Sequence, residues 1–343
     1  MDKEIKKIEI PVRDLDIKDR RILRELYDNG RVSFSAIAKK AGLSTEVVNY
    51  RVNGLIKKGV LIGFNTVIDV NRIGWQIYFV YMRLRNVDSD KENEIINFLT
   101  NHSNAAQLIR CIGNYDFILK FFVRDYTEIN NIMKDIEARI KPSLEKYTID
   151  FVEEEHPIPF PFLYAPIKPD ENFKFEKISK KRTSVSETDL KILRLLANNA
   201  RMPLTEIAKK LELPRELLRY HLRKLEKDKI IRKYRPSAWL GTMSMGFVWF
   251  FVMLKIEKLD PAVKNTLFTY LLNIPQMTYY YNTIGTYDIC FEIRLMQTSS
   301  DLTNLLREIR NILKNSLKGH ELSIILREDK YTYFPDCVMN IQN

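Results

Sequence analysis

The sequence predicts an α+β chain in which two winged helix-turn-helix domains and two ferredoxin-like βαββαβ domains stand in tandem. The first observation is a duplication: Asp19-Arg20-Arg21-Ile22-Leu23 through Ile37-Ala38-Lys39-Lys40 recurs as Asp189-Leu190-Lys191-Ile192-Leu193 through Ile207-Ala208-Lys209-Lys210, and Gly113-Asn114-Tyr115-Asp116 recurs as Gly285-Thr286-Tyr287-Asp288. A period of about 170 residues is too long for a solenoid repeat and suits a two-domain unit copied once. The second observation is periodicity, which in each half passes from helical apolar stripes to strand-like runs. The third is charge: the net value is +5 over residues 1–65, −4 over 66–170, +10 over 171–240 and 0 over 241–343. These shifts place the helix-turn-helix domains at 1–65 and 184–240, the sheet domains at 66–155 and 241–335, and a Pro-rich linker at 156–183.

The elements of the first basic segment follow from caps and stripes. Asp16 and Asp19 precede Ile22, Leu23 and Leu26, so acids stand at the positive end of a helix dipole. Ser33 can cap a second helix carrying Ile37 and Ala38, which Gly42 stops with a left-handed residue. Ser44 caps the third helix, where Val48, Val52 and Leu55 face a core and Thr45, Glu46, Asn49, Tyr50, Arg51 and Asn53 fall on other faces. In the second repeat Leu218, Leu222 and Leu225 take the core positions, with Arg215, Arg219, Tyr220 and Arg223 outward and Lys224, Lys227 and Lys229 towards the helix end. Val60 to Phe64 and Ile230 to Tyr234 are short strands suited to a wing.

The sheet domains follow the same reasoning. Trp75 to Leu84, Gln107 to Ile112, Phe117 to Val123 and Tyr147 to Phe151 read as strands, and helices run from Asp88 or Ser89 to Leu99 and from Tyr126 to Ile140. The second repeat gives strands at Phe247 to Ile256, Thr278 to Ile284, Ile289 to Leu295 and Leu322 to Leu326, with helices at Asp260 to Leu272 and Ser299 to Leu317. Gly and Asp in the two central turns suit tight strand connections. Between the repeats, prolines at 157, 159, 161, 166 and 169 predict a stiff, extended connector, unless Phe160, Phe162 and Tyr164 dock it on a surface.

Composition narrows the function. At 343 residues, with 45% apolar and 29% charged residues, the chain suits a multidomain protein with several cores. The apolar run Met245 to Leu254 is too short for a membrane helix, and the charged start Met1-Asp2-Lys3-Glu4 lacks a signal-peptide core, so a cytoplasmic protein with no membrane partner is expected. Cys111, Cys290 and Cys337 form no disulfide framework, and His102, His156, His221 and His320 lack zinc-ligand spacing; no metal or cofactor is expected. No Gly-rich phosphate loop or nucleophile–base pattern is present, so no catalytic residue is assigned.

The clustered positive charge fits a polyanion. A second helix that enters the major groove presents its outward residues to base edges. Asn49 and Asn53 suit adenine, Arg219 and Arg223 suit guanine, and Lys57, Lys58 and Lys224 at helix ends suit phosphate. Thr45, Glu46, Tyr50, Arg215 and Tyr220 complete the candidate DNA-binding set. Against this stands the plainer reading of each as a solvated helix face.

Leu15-Asp16, Asp19-Arg20, Leu23, Leu26, Arg31, Ser33, Ile37-Ala38, Gly42-Leu43-Ser44, Arg51-Val52, Leu55 and Gly59-Val60 together resemble the N-terminal signature of the Lrp/AsnC (feast/famine) family of transcription regulators. The βαββαβ units with their Gly-x-Tyr-Asp turns resemble that family's RAM domain. The resemblance implies a sequence-specific DNA-binding regulator of double-stranded DNA, with RAM-mediated self-association and an amino-acid effector. It places effector contacts at Tyr115, Asp116, Tyr287 and Asp288; the same residues also suit turn formation with a Tyr packed beneath. The second repeat departs where Gly42-Leu43-Ser44 becomes Glu212-Leu213-Pro214, Gly59 becomes Lys229 and Arg51 becomes His221. Two similar halves can pair within one chain or dimerise through like units to present four heads.

Two other readings belong beside this one. Sirohaem decarboxylases share the architecture and resemble one another in a His-Asn-Tyr-x-Arg run near the central turn, whereas this chain has Cys111-Ile112-Gly113-Asn114-Tyr115-Asp116 and Asn282-Thr283-Ile284-Gly285-Thr286-Tyr287-Asp288. A DNA-compacting protein of little sequence preference is the third.

Overall fold

The computed structural model describes residues 15–158, 161–165, 182–238, 247–258, 260–296 and 299–339. The first half runs α1 (Ile17–Asp28), α2 (Phe34–Ala41), α3 (Thr45–Lys57), β1 (Leu61–Ile68), β2 (Gln76–Leu84), α4 (Ser89–Asn101), β3 (Ala105–Gly113), β4 (Phe117–Val123), α5 (Tyr126–Ile140) and β5 (Leu144–Pro157). The second repeats it: α6 (Glu187–Ala197), α7 (Leu204–Lys210), α8 (Arg215–Lys227), β6 (Ile231–Ala238), β7 (Phe247–Ile256), α9 (Pro261–Leu272), β8 (Met277–Ile284), β9 (Ile289–Met296), α10 (Ser299–Leu313) and β10 (Leu317–Tyr331). These elements form two compact units, one gathering the helical heads and one gathering the sheet.

In the helical unit the expected caps at Ser33, Gly42 and Ser44 are present. Asp16 and Asp19 form a reciprocal capping box on α1, and the Ser33 hydroxyl accepts from the Ala36 N–H of α2. Gly42 ends α2 at φ 68°, and Gly59 follows α3 at φ 74°. The second repeat holds the same backbone with Glu212 at φ 53° and Lys229 at φ 56°, although both carry a Cβ that disfavours this region. Ile22, Leu23, Leu26, Ile37, Val48, Val52 and Leu55 are buried together as the first core. At about 1.5–3 kcal/mol for each large apolar side chain, their burial is the main force holding the three helices.

The strand after each recognition helix pairs with its counterpart: β1 and β6 run antiparallel, with Thr66 opposite Tyr234 and Phe64 opposite Pro236. The expected wing strands thus join the heads. Of the linker, Pro161–Leu163 makes one 3₁₀ turn, and Tyr164 packs on Tyr27 of α1 at 5.9 Å. Arg20 donates to the Ala165 carbonyl at 2.6 Å. This short stretch is docked, not extended. Phe160, Pro159, Pro166 and Pro169 lie outside the described residues.

In the sheet unit eight strands close into a ring in the order β10-β3-β4-β2-β5-β8-β9-β7. Each half contributes four strands in ferredoxin-like order, and the antiparallel pairs β10–β3 and β5–β8 join the halves. Closure removes the free sheet edges. Strand alternation sends Val80, Met82, Leu119 and Phe121 outward under Ile95 and Leu99 of α4 and Ile132 and Ile136 of α5. The final strands exceed the sequence expectation of Tyr147 to Phe151 and Leu322 to Leu326 at both ends: their starts pair with β2 and β7 of their own half, and their ends continue along β8 and β3 of the other half. The helix expected to reach Leu317 ends at Leu313, and a 3₁₀ turn, Lys314–Ser316, feeds β10.

Candidate nucleic-acid interface

In α3, Ser44 caps the helix by accepting from Val47 N–H, and Val48, Val52 and Leu55 anchor its inner face. Thr45, Glu46, Asn49, Tyr50, Asn53, Lys57 and Lys58 are all exposed. The Asn53 amide donates to Asn49 Oδ1 at 3.2 Å, which aligns two amides one turn apart. The Glu46 carboxyl is held below its usual range by its own backbone N–H and by the Ser44 hydroxyl, so a firm negative charge marks the helix start. Arg51, expected on an outer face, turns back to Asp16 at 2.7 Å and Asp19 at 2.9 Å and ties α3 to the α1 cap.

In α8, Leu218, Leu222 and Leu225 are buried while Arg215, Arg219, Tyr220 and Arg223 are exposed; Lys224 is half-buried. Arg219 is ion-paired with Glu216 one turn earlier. Pro214 precedes the helix without a side-chain cap, as a missing N–H at a helix start permits. Tyr50 and Tyr220, at matching positions, are 80% and 61% exposed, so each head lifts one aromatic ring from its recognition helix.

The heads are tied by contacts that repeat with near symmetry. Gly30 N–H donates to the Tyr234 carbonyl at 2.8 Å and Ala200 N–H to the Phe64 carbonyl at 2.7 Å. Arg31 donates to the Ala200 carbonyl, while Arg201 donates to the Gly30 carbonyl at 2.7 Å and the Val32 carbonyl at 3.1 Å. Arg201 also lies over the Phe34 and Phe64 rings. Gly30 sits within this seam, where an added Cβ would meet the Arg235 backbone nitrogen at 2.9 Å. These residues were not singled out from sequence as a seam; the only signal was an arginine at the same place in both repeats.

The turn residues of the sheet unit are engaged within the fold. The Asp116 carboxylate accepts from Leu84 N–H at 2.7 Å, and Asp288 accepts from Ile256 N–H at 2.6 Å. Tyr115 and Tyr287 are each 3% exposed and their hydroxyls meet at 2.9 Å. Gly113 and Gly285, at φ 154° and 155°, let the turns approach β10 and β5; an added Cβ at Gly285 would strike Asp150. The carboxylate of Asp150 receives the N–H groups of Thr286 and Tyr287. Among the described residues no group of three or more His, Cys, Asp or Glu is placed to hold a metal ion. No helix among them is long and apolar enough to cross a membrane.

Two recognition helices, each on a three-helix core and joined through a two-stranded sheet, define a DNA-binding protein of the winged helix-turn-helix class. Residues 15–62 and 185–232 each match the winged helix-turn-helix DNA-binding family. The chain is 30% identical over 120 residues to the HTH-type transcriptional regulator FL11 of Pyrococcus horikoshii, a match covering 35% of this chain and 78% of that protein. It is 26% identical over 148 residues to the transcriptional regulator AzlB of Bacillus subtilis, covering 39% and 93%. The chain belongs to the Lrp/AsnC family of HTH-type transcriptional regulators, in tandem-duplicated form, and is a DNA-binding transcription regulator. In fold, it is similar over 94% of its length to the crystal structure of the siroheme decarboxylase NirDL, covering 96% of that chain with a TM-score of 0.64 at 15% identity.

Proposed function

We propose that a single chain reads one DNA site with two unlike heads as a sequence-specific regulator. The observation that carries this is the internal seam: β1 pairs with β6, and Arg31 and Arg201 cross between the heads. A seam of this kind sets a fixed relation between two recognition helices, which is what spaced half-sites require. The first head offers Asn49 and Asn53 for adenine; the second offers Arg219 and Arg223 for guanine, with Lys57, Lys58 and Lys224 placed for phosphate. The more basic second head supplies the larger share of nonspecific affinity. The family resemblance adds an amino-acid effector near Tyr115, Asp116, Tyr287 and Asp288, and further self-association through the sheet unit. For the effector to use Asp116 or Asp288, its ammonium must share a carboxylate that already accepts a backbone N–H.

The fold likeness to NirDL supports a second reading, chemistry on a tetrapyrrole. Against it, neither Tyr115 nor Tyr287 has a His or Arg beside it in the required order. Selection of genomic fragments over excess competitor DNA tests the first reading. A spaced motif supports it, recovery without a motif favours DNA compaction, and absorbance-monitored binding of iron-uroporphyrin without DNA retention favours the second reading.

A further inference from the structure

The large apolar side chains left exposed on the first head are Ile17, Val47, Tyr50, Ile56 and Ile62, among the described residues. At the matching places of the second repeat Glu187 stands for Ile17, Glu226 for Ile56 and Arg232 for Ile62. Val47 and Tyr50 are treated differently. Their counterparts are Leu217 and Tyr220, and these are the large apolar side chains that the second head exposes among the described residues. Single apolar residues are ordinary on a protein surface. A pair kept at the same two places of both recognition helices, while the other exposed apolar positions turn charged, calls for a partner that both heads share.

Each pair stands three residues apart, so its members are neighbours on the helix surface and form one apolar ledge. Val48, Val52 and Leu55 in α3, and Leu218, Leu222 and Leu225 in α8, face the cores; Tyr50 and Tyr220 point away from these stripes. Val47 donates its N–H to the Ser44 hydroxyl, so its branched side chain springs from a capped first turn and has one strongly preferred rotamer. Around the ledge the heads differ, with Asn49 and Asn53 in one and Arg219 and Arg223 in the other. The heads thus share an apolar contact and differ in their hydrogen-bonding groups. In the major groove the base edges offer donors and acceptors, and the apolar feature is the 5-methyl group of thymine.

We propose that Val47 with Tyr50, and Leu217 with Tyr220, each receive the 5-methyl group of a thymine, so that both half-sites carry a thymine at the same place and differ at the bases beside it. The proposal rests on the sequence-specific reading above and names a base that both heads read. Removal of water from the methyl group and from the ledge supplies the gain.

Uracil keeps the hydrogen-bonding groups of thymine and lacks the methyl, so it isolates this contact. Genomic fragments amplified with thymidine triphosphate or with deoxyuridine triphosphate are selected by the full chain at about 150 mM salt. The recovered site is then made as duplexes in which one thymine at a time is replaced by deoxyuridine. In fluorescence anisotropy one such replacement in each half-site should weaken binding about fourfold, the factor carried by one buried methyl group. Val47→Ala should abolish that difference in one half-site and keep it in the other, and Leu217→Ala should do the reverse. Both residues are exposed and alanine favours a helix, so the variants should fold, which circular dichroism checks. A recovered site at which no uracil weakens binding, or variants that keep every difference between thymine and uracil, overturns the proposal and leaves the sequence-specific reading standing. Fragments that share no motif overturn both.

Discussion

Arg31 and Arg201 hold matching places in the two repeats and cross over, each donating to backbone carbonyls of the loop that carries the other. Their partners are carbonyl oxygens near residues 30–32 and 200–202, so the contact depends on the planar, many-donor guanidinium and not on charge pairing. The pair converts a duplicated sequence into one helical unit with two recognition helices.

Removing that crossing should loosen the seam. Arg201→Ala is expected to cost about 3 kcal/mol, since two hydrogen bonds from a charged donor to the part-buried Gly30 and Val32 carbonyls are lost. Urea unfolding measures the loss. Arg201→Lys should recover only part of it, because an ammonium can donate to both carbonyls but cannot lay a planar guanidinium over the Phe34 and Phe64 rings. A variant as stable as wild type would show the crossing to be incidental.

Backbone conformation gives a stabilising change. Glu212 occupies the left-handed position that Gly42 fills in the first repeat. Glu212→Gly should therefore raise stability by about 1 kcal/mol, the lower end of the cost of holding a non-glycine residue there. The matched change Gly42→Glu should lower it by a similar amount. Thermal melts of the two variants should move in opposite directions.

Burial of Asp150 predicts a pH dependence. Burial raises its carboxyl to about 6, although the Thr286 and Tyr287 N–H groups act the other way. The folded chain thus holds a proton from about pH 4 to 6 that the unfolded chain has released. By linkage, the Asp150 contribution to stability is full below about pH 4 and falls by at most about 3 kcal/mol as pH rises through 6. The stability difference between wild type and Asp150→Asn should shrink with rising pH over that window. A difference that grows would contradict this assignment.

The recognition helices separate base reading from phosphate grip. Asn49→Ala should cost about 1–3 kcal/mol against the preferred site and little against random DNA. Lys57→Ala should weaken both and lower the salt slope by about 0.9, the value for one released counterion. Arg223→Ala should outweigh Arg219→Ala, since Arg219 already pairs with Glu216. Fluorescence anisotropy across a salt series resolves the three effects. Alanine at Arg219, Arg223 and Lys224 together, with no change in salt slope, would remove the phosphate role of the second head.

Much of the helical unit was legible in the sequence because its determinants are local. Asp16, Ser33, Gly42 and Ser44 announce helix ends within a few residues, and Val48, Val52 and Leu55 mark a buried stripe. The turn at Gly113-Asn114-Tyr115-Asp116 was equally clear. Which strand β1 would choose as partner was not, since a wing hairpin and a seam between heads need the same short apolar strand. The full length of β5 and β10 was hidden for the same reason: their outer portions are strands only because the other half supplies an edge. Arg31 stood only within the family signature and Arg201 was not singled out, because nothing local to either loop says that the fold brings them together.

The central claim, that one chain supplies both heads for one site, is tested most directly by the stoichiometry of the protein on its selected DNA. Fragments recovered at about 150 mM salt should carry two unlike half-sites, and sedimentation with footprinting should give one chain for each such pair. Two chains on every pair of half-sites, each using a single head, would contradict the account.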